Sequence, residues 1–510
     1  MKKLIALLLS ITFFLMGCNN APQKETQITP AGLYNEPHRP QVHFSPKEKW
    51  MNDPNGLVFY AGQYHLFFQY YPDSTVWGPM HWGHATSTDM ISWKEQPIAL
   101  YPDSLGYIFS GSAVVDSANT SGLGKDAVVP LVAIFTHHNA AGEKSGSKTY
   151  QNQSLAYSLD SGKTWQKYAG NPVLKNPGIT DFRDPKVSWY PAEKKWIMTL
   201  ATKDCISFYS SPNLKNWVKE SEFGETLGAH GGVWECPDLF PMEYEGKTIW
   251  VLLVSINPGG PGGGSATQYF TGNFDGKTFT PFQTATRWID YGSDNYAGVT
   301  WSNTGKRKIF LGWMSNWLYA NVVPTEKWRS AMTVPRELKL EKVAGNYVLA
   351  SYPVKEMDKL QEDKRIINDI DGKNYDLSKE VGQITGPVQL HFVAPQLNSF
   401  NIVFANSKGE QLIAGYDQAK NEYYIDRSKA GDAKFDARFA ARHTGPRLST
   451  SKDLLLTIVL DNASIEMFAD NGLTTMTDIF FPSEIFSTVK INSPSDFPIQ
   501  QLEFSKLKRS

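Results

Sequence analysis

The sequence predicts an all-β protein made of a five-bladed β-propeller followed by a C-terminal antiparallel β-sandwich. Five apolar, strand-like runs recur in the first two-thirds of the chain, and turn-rich segments without helical periodicity separate them. Alternation of apolar and polar residues takes over in the last third. At 510 residues the chain exceeds what one hydrophobic core supports, so two domains are expected.

The N-terminal residues are typical of a targeting segment and are left out of the fold. A positively charged start precedes the apolar residues 4–15, a stretch shorter than the ~20 residues of a membrane-spanning helix. It ends in LMGC at 15–18, which is similar to a bacterial lipoprotein signal. We expect a signal peptide at 1–17, lipidation of Cys18 and a flexible tether at 18–40. A plain cleaved signal peptide is the alternative.

The predicted anchor implies a protein of the cell envelope, at the outer-membrane surface or facing the periplasm. Charge is balanced, with 50 basic and 51 acidic residues and no basic block, which argues against nucleic acid as a partner. Beyond Cys18 only Cys205 and Cys236 remain, too few for a disulfide framework. A single bridge between these two cysteines stays open.

The five apolar runs have the length and the β-branched or aromatic content of buried strands. They occupy residues 64–69, 131–136, 196–202, 250–256 and 308–314. Most lead into a small polar turn that ends in an aromatic residue, as at 87–93 and 158–165. A repeat of roughly fifty to sixty residues built from strands and turns is typical of propeller blades. We therefore predict a propeller over 41–338.

A polar cluster stands before each apolar run. The clusters are Asn52-Asp53-Pro54, FSGS at 109–112, Arg183-Asp184-Pro185, Glu235-Cys236-Pro237 and DNYA at 294–297. The first strand of each propeller blade lines the central channel, so all five clusters are predicted to open onto one funnel.

Three of these clusters carry a carboxylate in a stiff setting. Asp53 and Asp184 immediately precede a proline, which favours extended geometry, and Glu235 stands one residue further back. Alone, each is an ordinary turn former. Their convergence at one cavity floor predicts the paired carboxylates that hydrolyse glycosidic bonds.

The remaining chain, 339–510, is predicted to be a connector and a β-sandwich. A charged, less periodic stretch runs to about residue 385. Alternating segments follow at 389–393, 399–404, 422–426, 454–460 and 464–468. No paired acids with catalytic context occur there, so we expect a stabilising or accessory role.

Ordered motifs give the chain a specific resemblance. They are WMNDPNG at 50–56, FFQY at 67–70, WGPMHWGHA at 77–85, FSGS at 109–112, FRDP at 182–185, ECPDL at 235–239 and GWMSNW at 312–317. The chain resembles family 32 of the glycoside hydrolases, the group of invertases, inulinases and levanases. The resemblance extends into the sandwich, where DNASIEMF at 461–468 also matches.

The resemblance implies roles for individual residues. Asp53 would be the nucleophile, Glu235 the acid/base, and Asp184 the carboxylate that holds sugar hydroxyls and stabilises the transition state. The implied substrate contacts are Asn52, Gln69, Trp77, Ser110, Arg183 and, stacking in the funnel wall, Trp313. No cofactor and no metal are expected; His81 and His84 stand at a ligand-like spacing, but no cysteine lies nearby and the family uses no metal.

The implied activity is that of a monomeric, retaining β-fructofuranosidase acting on fructan polysaccharide or oligosaccharide. Levan, with β-2,6 linkages, is the first choice, and inulin or sucrose is the alternative; attack at chain ends or within the chain stays open. A fructosyltransferase would use the same nucleophile. A non-catalytic fructan-binding lipoprotein would be expected to lack at least one of Asp53, Asp184 and Glu235, and all three are present.

Overall fold

The computed structural model of the protein describes residues 34–509. The predicted signal peptide, Cys18 and most of the predicted tether lie outside these residues and stay predictions, as does the monomeric state. Within residues 34–509 no helix has the length and apolar character needed to cross a membrane.

The N-terminal part is a propeller of five antiparallel sheets, each with four main strands. Blade 1 contains β1 (Lys49–Tyr60), β2 (Gln63–Tyr71), β3 (His81–Ser87) and β4 (Lys94–Leu100). Blade 2 contains β5 (Tyr107–Val115), β6 (Leu131–His138), β7 (Gln151–Ser158) and β8 (Gln166–Lys167), with helix α1 (Ala140–Lys144) after β6. Blade 3 contains β9 (Phe182–Tyr190), β10 (Lys195–Thr202), β11 (Cys205–Ser211) and β12 (Val218–Phe223).

Blade 4 contains β13 (Val233–Tyr244), β14 (Lys247–Asn257), β15 (Ala266–Phe274) and β16 (Phe279–Pro281), with the short β17 (Arg287–Trp288) beside β15. Blade 5 begins with β18 (Tyr296–Thr300) and β19 (Ile309–Met314). Two short strands follow, β20 (Trp328–Arg329) beside β1 and β21 (Ala331–Met332) beside β19. Blade 5 ends with β22 (Arg336–Val343) and β23 (Asn346–Pro353).

The first strands of the five blades form a closed ring. Strands β1, β5, β9, β13 and β18 contact each other in that order, and β18 returns to β1. The predicted apolar runs fall on the second strands β2, β6, β10, β14 and β19, whose central residues are buried. The predicted five-bladed propeller is thereby confirmed.

Each first strand contains a bulge at its polar cluster. The pairing register shifts between Met51 and Pro54 in β1, and β5, β9, β13 and β18 show corresponding shifts against their second strands. An extra residue in one strand bends it and turns side chains toward a new direction. Asp184 accordingly has φ 63° and Cys236 φ 45°, so the extended geometry predicted for Asp184 is wrong. The bulge overrides the preference that the following proline imposes.

The propeller extends beyond the boundary predicted at residue 338. β22 pairs with β19 and β23 pairs with β22, so blade 5 continues to Pro353. β22 alternates buried apolar with exposed charged residues, because one of its faces meets solvent. That charged composition marks a strand with one face in solvent, and the connector is only the 3₁₀ helix at Lys355–Leu360.

The C-terminal part is a sandwich of two six-stranded antiparallel sheets, as predicted. One sheet contains β24 (Gln361–Asp371), β26 (Val388–Ala394), β31 (Leu454–Leu460), β32 (Ser464–Ala469), β33 (Thr474–Ile479) and β35 (Pro498–Leu507). The other contains β25 (Asn374–Asp376), β27 (Phe400–Ala405), β28 (Gln411–Asp417), β29 (Glu422–Lys429), β30 (Arg442–Pro446) and β34 (Thr488–Asn492). Helix α2 (Ser378–Val381) follows β25, and the apolar faces of both sheets form one core.

The end of the predicted tether is packed against the protein. Arg39 is fully buried and donates hydrogen bonds to Ser45 Oγ at 3.0 Å and to the carbonyl oxygen of Pro46 at 2.6 Å. Its guanidinium lies 4.4 Å from the ring centre of Trp328. The packed chain therefore includes residues that the sequence assigned to the tether, because one arginine satisfies the carbonyls of the turn that follows it.

Buried charges join the propeller to the sandwich. His43 Nδ1 lies 2.8 Å from Asp461 Oδ2, and its Nε2 lies 2.8 Å from Glu466 Oε1. Arg336 on β22 bonds both Glu466 and Asp290. The segment at 461–468, which carries part of the family resemblance, thus serves the interface between the domains. Cys205 and Cys236 are both free thiols, so no bridge links them.

We expect this interface to weaken at alkaline pH. Burial lowers the pKa of His43, but its hydrogen bonds and charge contacts with Asp461 and Glu466 outweigh burial and raise the pKa to about 9 from 6.5. Because the pKa of His43 is higher in the folded protein than in the unfolded chain, protonation of His43 stabilises the folded protein. This stabilisation is fully present below pH 6.5 and is lost as the pH rises through 9. At ~1.4 kcal/mol per pKa unit, the free energy of unfolding falls by about 3 kcal/mol over this window.

Denaturant unfolding between pH 6.5 and 10 measures this loss. The variant His43→Gln has no titrating imidazole and is expected to show a flatter profile, which isolates His43 from other groups that titrate in the same range. Parallel profiles for the two proteins would contradict the prediction.

Candidate active site

The three predicted acids meet in one cavity at the propeller's axis. Asp53 on β1, Asp184 on β9 and Glu235 on β13 line a cavity of about 340 Å³. Each lies in or beside the bulge of its strand, which turns its side chain toward the channel. Two larger depressions of about 480 and 460 Å³ contain residues of the sandwich and none of these acids.

Hydrogen-bond donors fix both oxygens of Asp53. Asn52 Nδ2 donates to Oδ1 at 3.0 Å, and Ser110 Oγ donates to Oδ2 at 2.8 Å. The indole of Trp50 donates to Asn52 Oδ1 at 2.7 Å and so orients that amide. Burial raises the pKa of Asp53 and repulsion from Glu235 adds to the increase, whereas the two donors oppose it.

Glu235 is held by residues from two neighbouring blades. Arg183 donates from Nε at 3.2 Å and from Nη2 at 2.8 Å to Glu235 Oε1. The hydroxyl of Tyr296 on β18 donates to Oε2. Burial, followed by the charge of Glu235, raises the pKa of Tyr296 well above 10, so the phenol stays a donor. The sequence placed Tyr296 in a channel cluster but gave it no role.

Cys236 connects the other two acids. Its backbone N–H donates to Asp184 Oδ2 at 3.1 Å, and its sulfur lies 3.6 Å from both Asp184 Oδ2 and Asp53 Oδ2. Burial and the charges of Asp184 and Asp53 raise the pKa of the thiol well above 9. A neutral thiol between two carboxylates is a donor that positions them, which argues against a nucleophilic cysteine.

Two carboxyls of the acid cluster, Asp53 and Asp184, have raised pKa values, which favours retention of a proton in the cluster. Burial raises the pKa of Asp184 to about 7; Arg183 opposes this increase, and the charges of Glu235 and Asp53 add to it. Because the carboxylates interact, this proton belongs to the cluster as a whole. Glycoside hydrolysis needs such a site, in which one carboxyl is protonated while its neighbour is ionised.

The residues predicted to contact substrate are largely found at the cavity. Asn52, Gln69, Trp77, Ser110 and Arg183 all line it. Gln69 is buried, and its Nε2 has no hydrogen-bond partner among residues 34–509.

The position of Trp313 differs from the predicted one. Trp313 is fully buried and packs against Trp50 and Trp317, with ring centroids 6.2 and 4.9 Å away. Trp317 lines the cavity in its place. The prediction of Trp313 as a wall residue is wrong because it lies within β19, among buried residues, whereas Trp317 follows the strand's end.

Several wall residues had no assignment from the sequence. They are Phe109, His138, Glu143, Asp181 and Asn321. His138 is buried and stacks on Phe109 at 4.1 Å between ring centroids.

The two histidines at a ligand-like spacing have other partners. His84 Nε2 lies 3.1 Å from His65 Nδ1, and His81 Nδ1 lies 2.9 Å from the carbonyl oxygen of Pro79. Throughout the described chain, no group of His, Cys, Asp and Glu side chains has the arrangement of a metal site.

A buried ion pair holds the strands together beneath the acids. Lys186 Nζ lies 3.0 Å from Asp238 Oδ2 and donates to the carbonyl oxygen of Thr300 at 2.6 Å. Thr300 also donates from its backbone N–H and its hydroxyl to Asp238 Oδ2, at 2.6 and 2.7 Å. These residues lie on β9, β13 and β18, the strands that carry Asp184, Glu235 and Tyr296. The pair fixes the spacing between these strands two to four residues beyond the residues of the site.

A cluster of carboxylates from three propeller blades, in a propeller joined to a β-sandwich, is the arrangement of a carbohydrate-cleaving hydrolase. The glycosyl hydrolases family 32 N-terminal domain matches residues 43–353, and the family 32 C-terminal domain matches residues 355–506. The chain belongs to glycoside hydrolase family 32 and is a fructosidase of that family.

Relatives of known name agree with this assignment. The levanase of Bacillus subtilis is 42% identical, over 98% of this chain and 75% of its own length. The extracellular exo-inulinase of Aspergillus ficuum is 41% identical over 88% of this chain and 90% of its own length. The crystal structure of exo-inulinase from Aspergillus awamori superposes with a TM-score of 0.85 at 37% identity, covering 93% of this chain and 99% of that one.

Proposed function

We propose that this protein removes fructose from the ends of β-fructan chains by double displacement, with levan as its preferred polymer. The observation that carries the proposal is the convergence of Asp53, Asp184 and Glu235 in one cavity. Hydrogen-bond donors hold two of these acids, Asn52 and Ser110 at Asp53 and Arg183 at Glu235.

In the proposed first step, a carboxylate oxygen of Asp53 attacks C2 of the terminal fructosyl unit. The bond from C2 to the bridging oxygen breaks, and that oxygen takes a proton from Glu235 and leaves with the shortened chain. Water then attacks C2, transfers its proton to ionised Glu235 and displaces Asp53 as a carboxylate. Two displacements at C2 give retention of configuration.

Asp184 has a different part in this scheme. Its carboxylate accepts hydrogen bonds from sugar hydroxyls and stabilises the positive charge that develops on the furanose ring. The N–H of Cys236 holds Asp184 Oδ2, so this oxygen is oriented before substrate arrives. Preorganised charge of this kind is usually the largest single contribution to catalysis.

The shape of the cavity favours attack at chain ends. At about 340 Å³ it lies at the lower end of the range of small-molecule sites. Trp77 and Asn321 lie on one of its walls, joined by a hydrogen bond of 2.9 Å between Trp77 N and Asn321 Oδ1. A small, walled cavity accommodates a terminal sugar more readily than the middle of a chain.

Levan is the first choice because the Bacillus subtilis levanase is similar to nearly the whole chain. Inulin, with β-2,1 linkages, is the second candidate, because exo-inulinases are similar at almost the same identity. The two linkages place different hydroxyls in the leaving group while the reacting fructosyl unit stays the same.

Product analysis tests the proposal. The protein is incubated with levan, inulin and sucrose, and products are separated by size over time. Fructose alone from the earliest samples, released fastest from levan, is the expected result. A ladder of oligosaccharides would contradict attack at chain ends, faster release from inulin or sucrose would contradict the levan preference, and longer oligosaccharides formed at high sucrose would indicate a fructosyltransferase.

A further inference from the structure

Tyr101 presents an exposed aromatic ring that the proposed chemistry does not use. Its side chain is 55% exposed, and it directly follows the last residue of β4. The ring packs edge to face against His81, with centroids 5.4 Å apart. Single exposed aromatic residues are common on protein surfaces. Exposure alone therefore does not indicate a function for Tyr101, which depends on where the ring lies and which residues hold it.

The strand register places Tyr101 at the cavity end of blade 1. Gln69 on β2 lines the cavity and pairs with Trp82 on β3, which in turn pairs with Leu100 on β4. Two interstrand spacings of about 4.8 Å separate β2 from β4, so Tyr101 lies about 10 Å outward from the level of Gln69. A chain of a few sugar units spans such a distance.

Two aromatic pairs, one at the cavity and one at Tyr101, lie on segments joined by a backbone hydrogen bond. Trp77, which is 40% exposed, lines the cavity and contacts Phe109 at 6.1 Å between ring centroids. The strand of Phe109 is tied to the segment before His81 by a 3.0 Å bond from Ile108 N to the carbonyl oxygen of Met80. His81 then contacts Tyr101. The exposed rings of Trp77 and Tyr101 are thus each supported by one of the two segments that this hydrogen bond joins.

The loop that carries Tyr101 is fixed from the neighbouring blade. Lys167 on β8 donates to the carbonyl oxygen of Tyr101 and, at 2.6 Å, to Asp103 Oδ2. Asp103 Oδ1 in turn accepts from the backbone N–H of Leu105 at 2.8 Å. A ring held in place before binding loses little entropy when a ligand packs on it.

We propose that Tyr101, together with Trp77 and the Lys167–Asp103 pair, forms a distal platform for a neutral fructan chain whose end is held in the cavity. The inference rests on the proposed function and adds to it a preference for long chains. The apolar face of a fructosyl ring packs on the tyrosine, and its hydroxyls bond the adjacent ion pair. Because Lys167 and Asp103 neutralise each other's charge, the platform favours an uncharged ligand.

The test compares long and short substrates. The kcat/KM value is measured for fructan oligosaccharides of about ten units and for the trisaccharide, and the ratio of the two is reported. In Tyr101→Ala this ratio is expected to fall about fivefold to tenfold, the size of effect typical of one aromatic contact. Tyr101→Phe keeps the ring and is expected to retain the wild-type ratio.

Trp189→Ala is the matched control. Trp189 is 37% exposed and lies five residues along β9 from Asp184, about 17 Å toward the opposite end of the propeller. The Trp189→Ala variant is expected to leave the ratio of the two kcat/KM values unchanged. An unchanged ratio in Tyr101→Ala, including an equal loss on both substrates, would overturn the platform. A wild-type protein that cleaves no fructan would instead contradict the proposed function.

Discussion

Replacement of Asp53 by alanine is expected to lower kcat on fructan by about 10⁴-fold or more, because no other group can form the covalent intermediate. Asp184 and Glu235 each engage other partners and lie on other strands, so neither replaces the missing nucleophile. Initial rates on the polymer and on sucrose measure the loss.

The fold should survive this change. Burial raises the pKa of Asp53, which means that its ionised form is less stable in the folded protein than in the unfolded chain at neutral pH. The melting temperature of Asp53→Ala is therefore expected to equal or exceed that of the wild type. Glu143→Ala removes a carboxylate from the same cavity without touching the acid cluster, and is expected to cost less than about tenfold. Near-normal turnover by Asp53→Ala would refute its role as nucleophile.

Replacement of Glu235 by alanine is expected to produce a loss of a different kind. Without a general acid, kcat/KM on fructan falls by about 10²-fold to 10⁴-fold, the usual contribution of proton transfer. An aryl β-fructofuranoside has a leaving group that departs without protonation, so its kcat/KM is expected to stay within about tenfold of the wild type. The kcat on this substrate still falls, because the second step lacks its base.

The two variants together separate the two carboxylates. Asp53→Ala is expected to lose activity on both fructan and the aryl β-fructofuranoside. Glu235→Ala is expected to retain the first step on the aryl β-fructofuranoside. Added azide, a nucleophile that needs no base, is expected to restore kcat for Glu235→Ala alone. Equal losses on fructan and on the aryl substrate in Glu235→Ala would contradict its assignment as the acid/base.

Much of the fold was predictable because its signals are local. A buried second strand is a short apolar run, and a turn between strands is a polar segment, so the repeat is visible in residues 64–69, 131–136 and their counterparts. The composition of β22 misled the prediction of the boundary, because a strand with one face in solvent and a linker are both rich in charge.

The acids of the site were predictable for a related reason. Each stands at the same point of a repeating unit, so closing the repeat into a ring brings Asp53, Asp184 and Glu235 together. Trp313 and Trp317 show the limit of this reasoning. Both belong to one motif, and whether a side chain faces the cavity or the core depends on where β19 ends, which a motif does not specify.

The sequence by itself therefore determined the all-β architecture, the number of blades and the three acids, since these follow from periodicity and from residues at fixed places in a repeat. Only the tertiary structure decided how the acids are aimed and held. The bulges turn Asp184 and Cys236 to positive φ, and the bond from Tyr296 to Glu235 joins residues of different blades. Such features depend on one-residue shifts in strand register and on contacts between distant segments, and no local pattern encodes either.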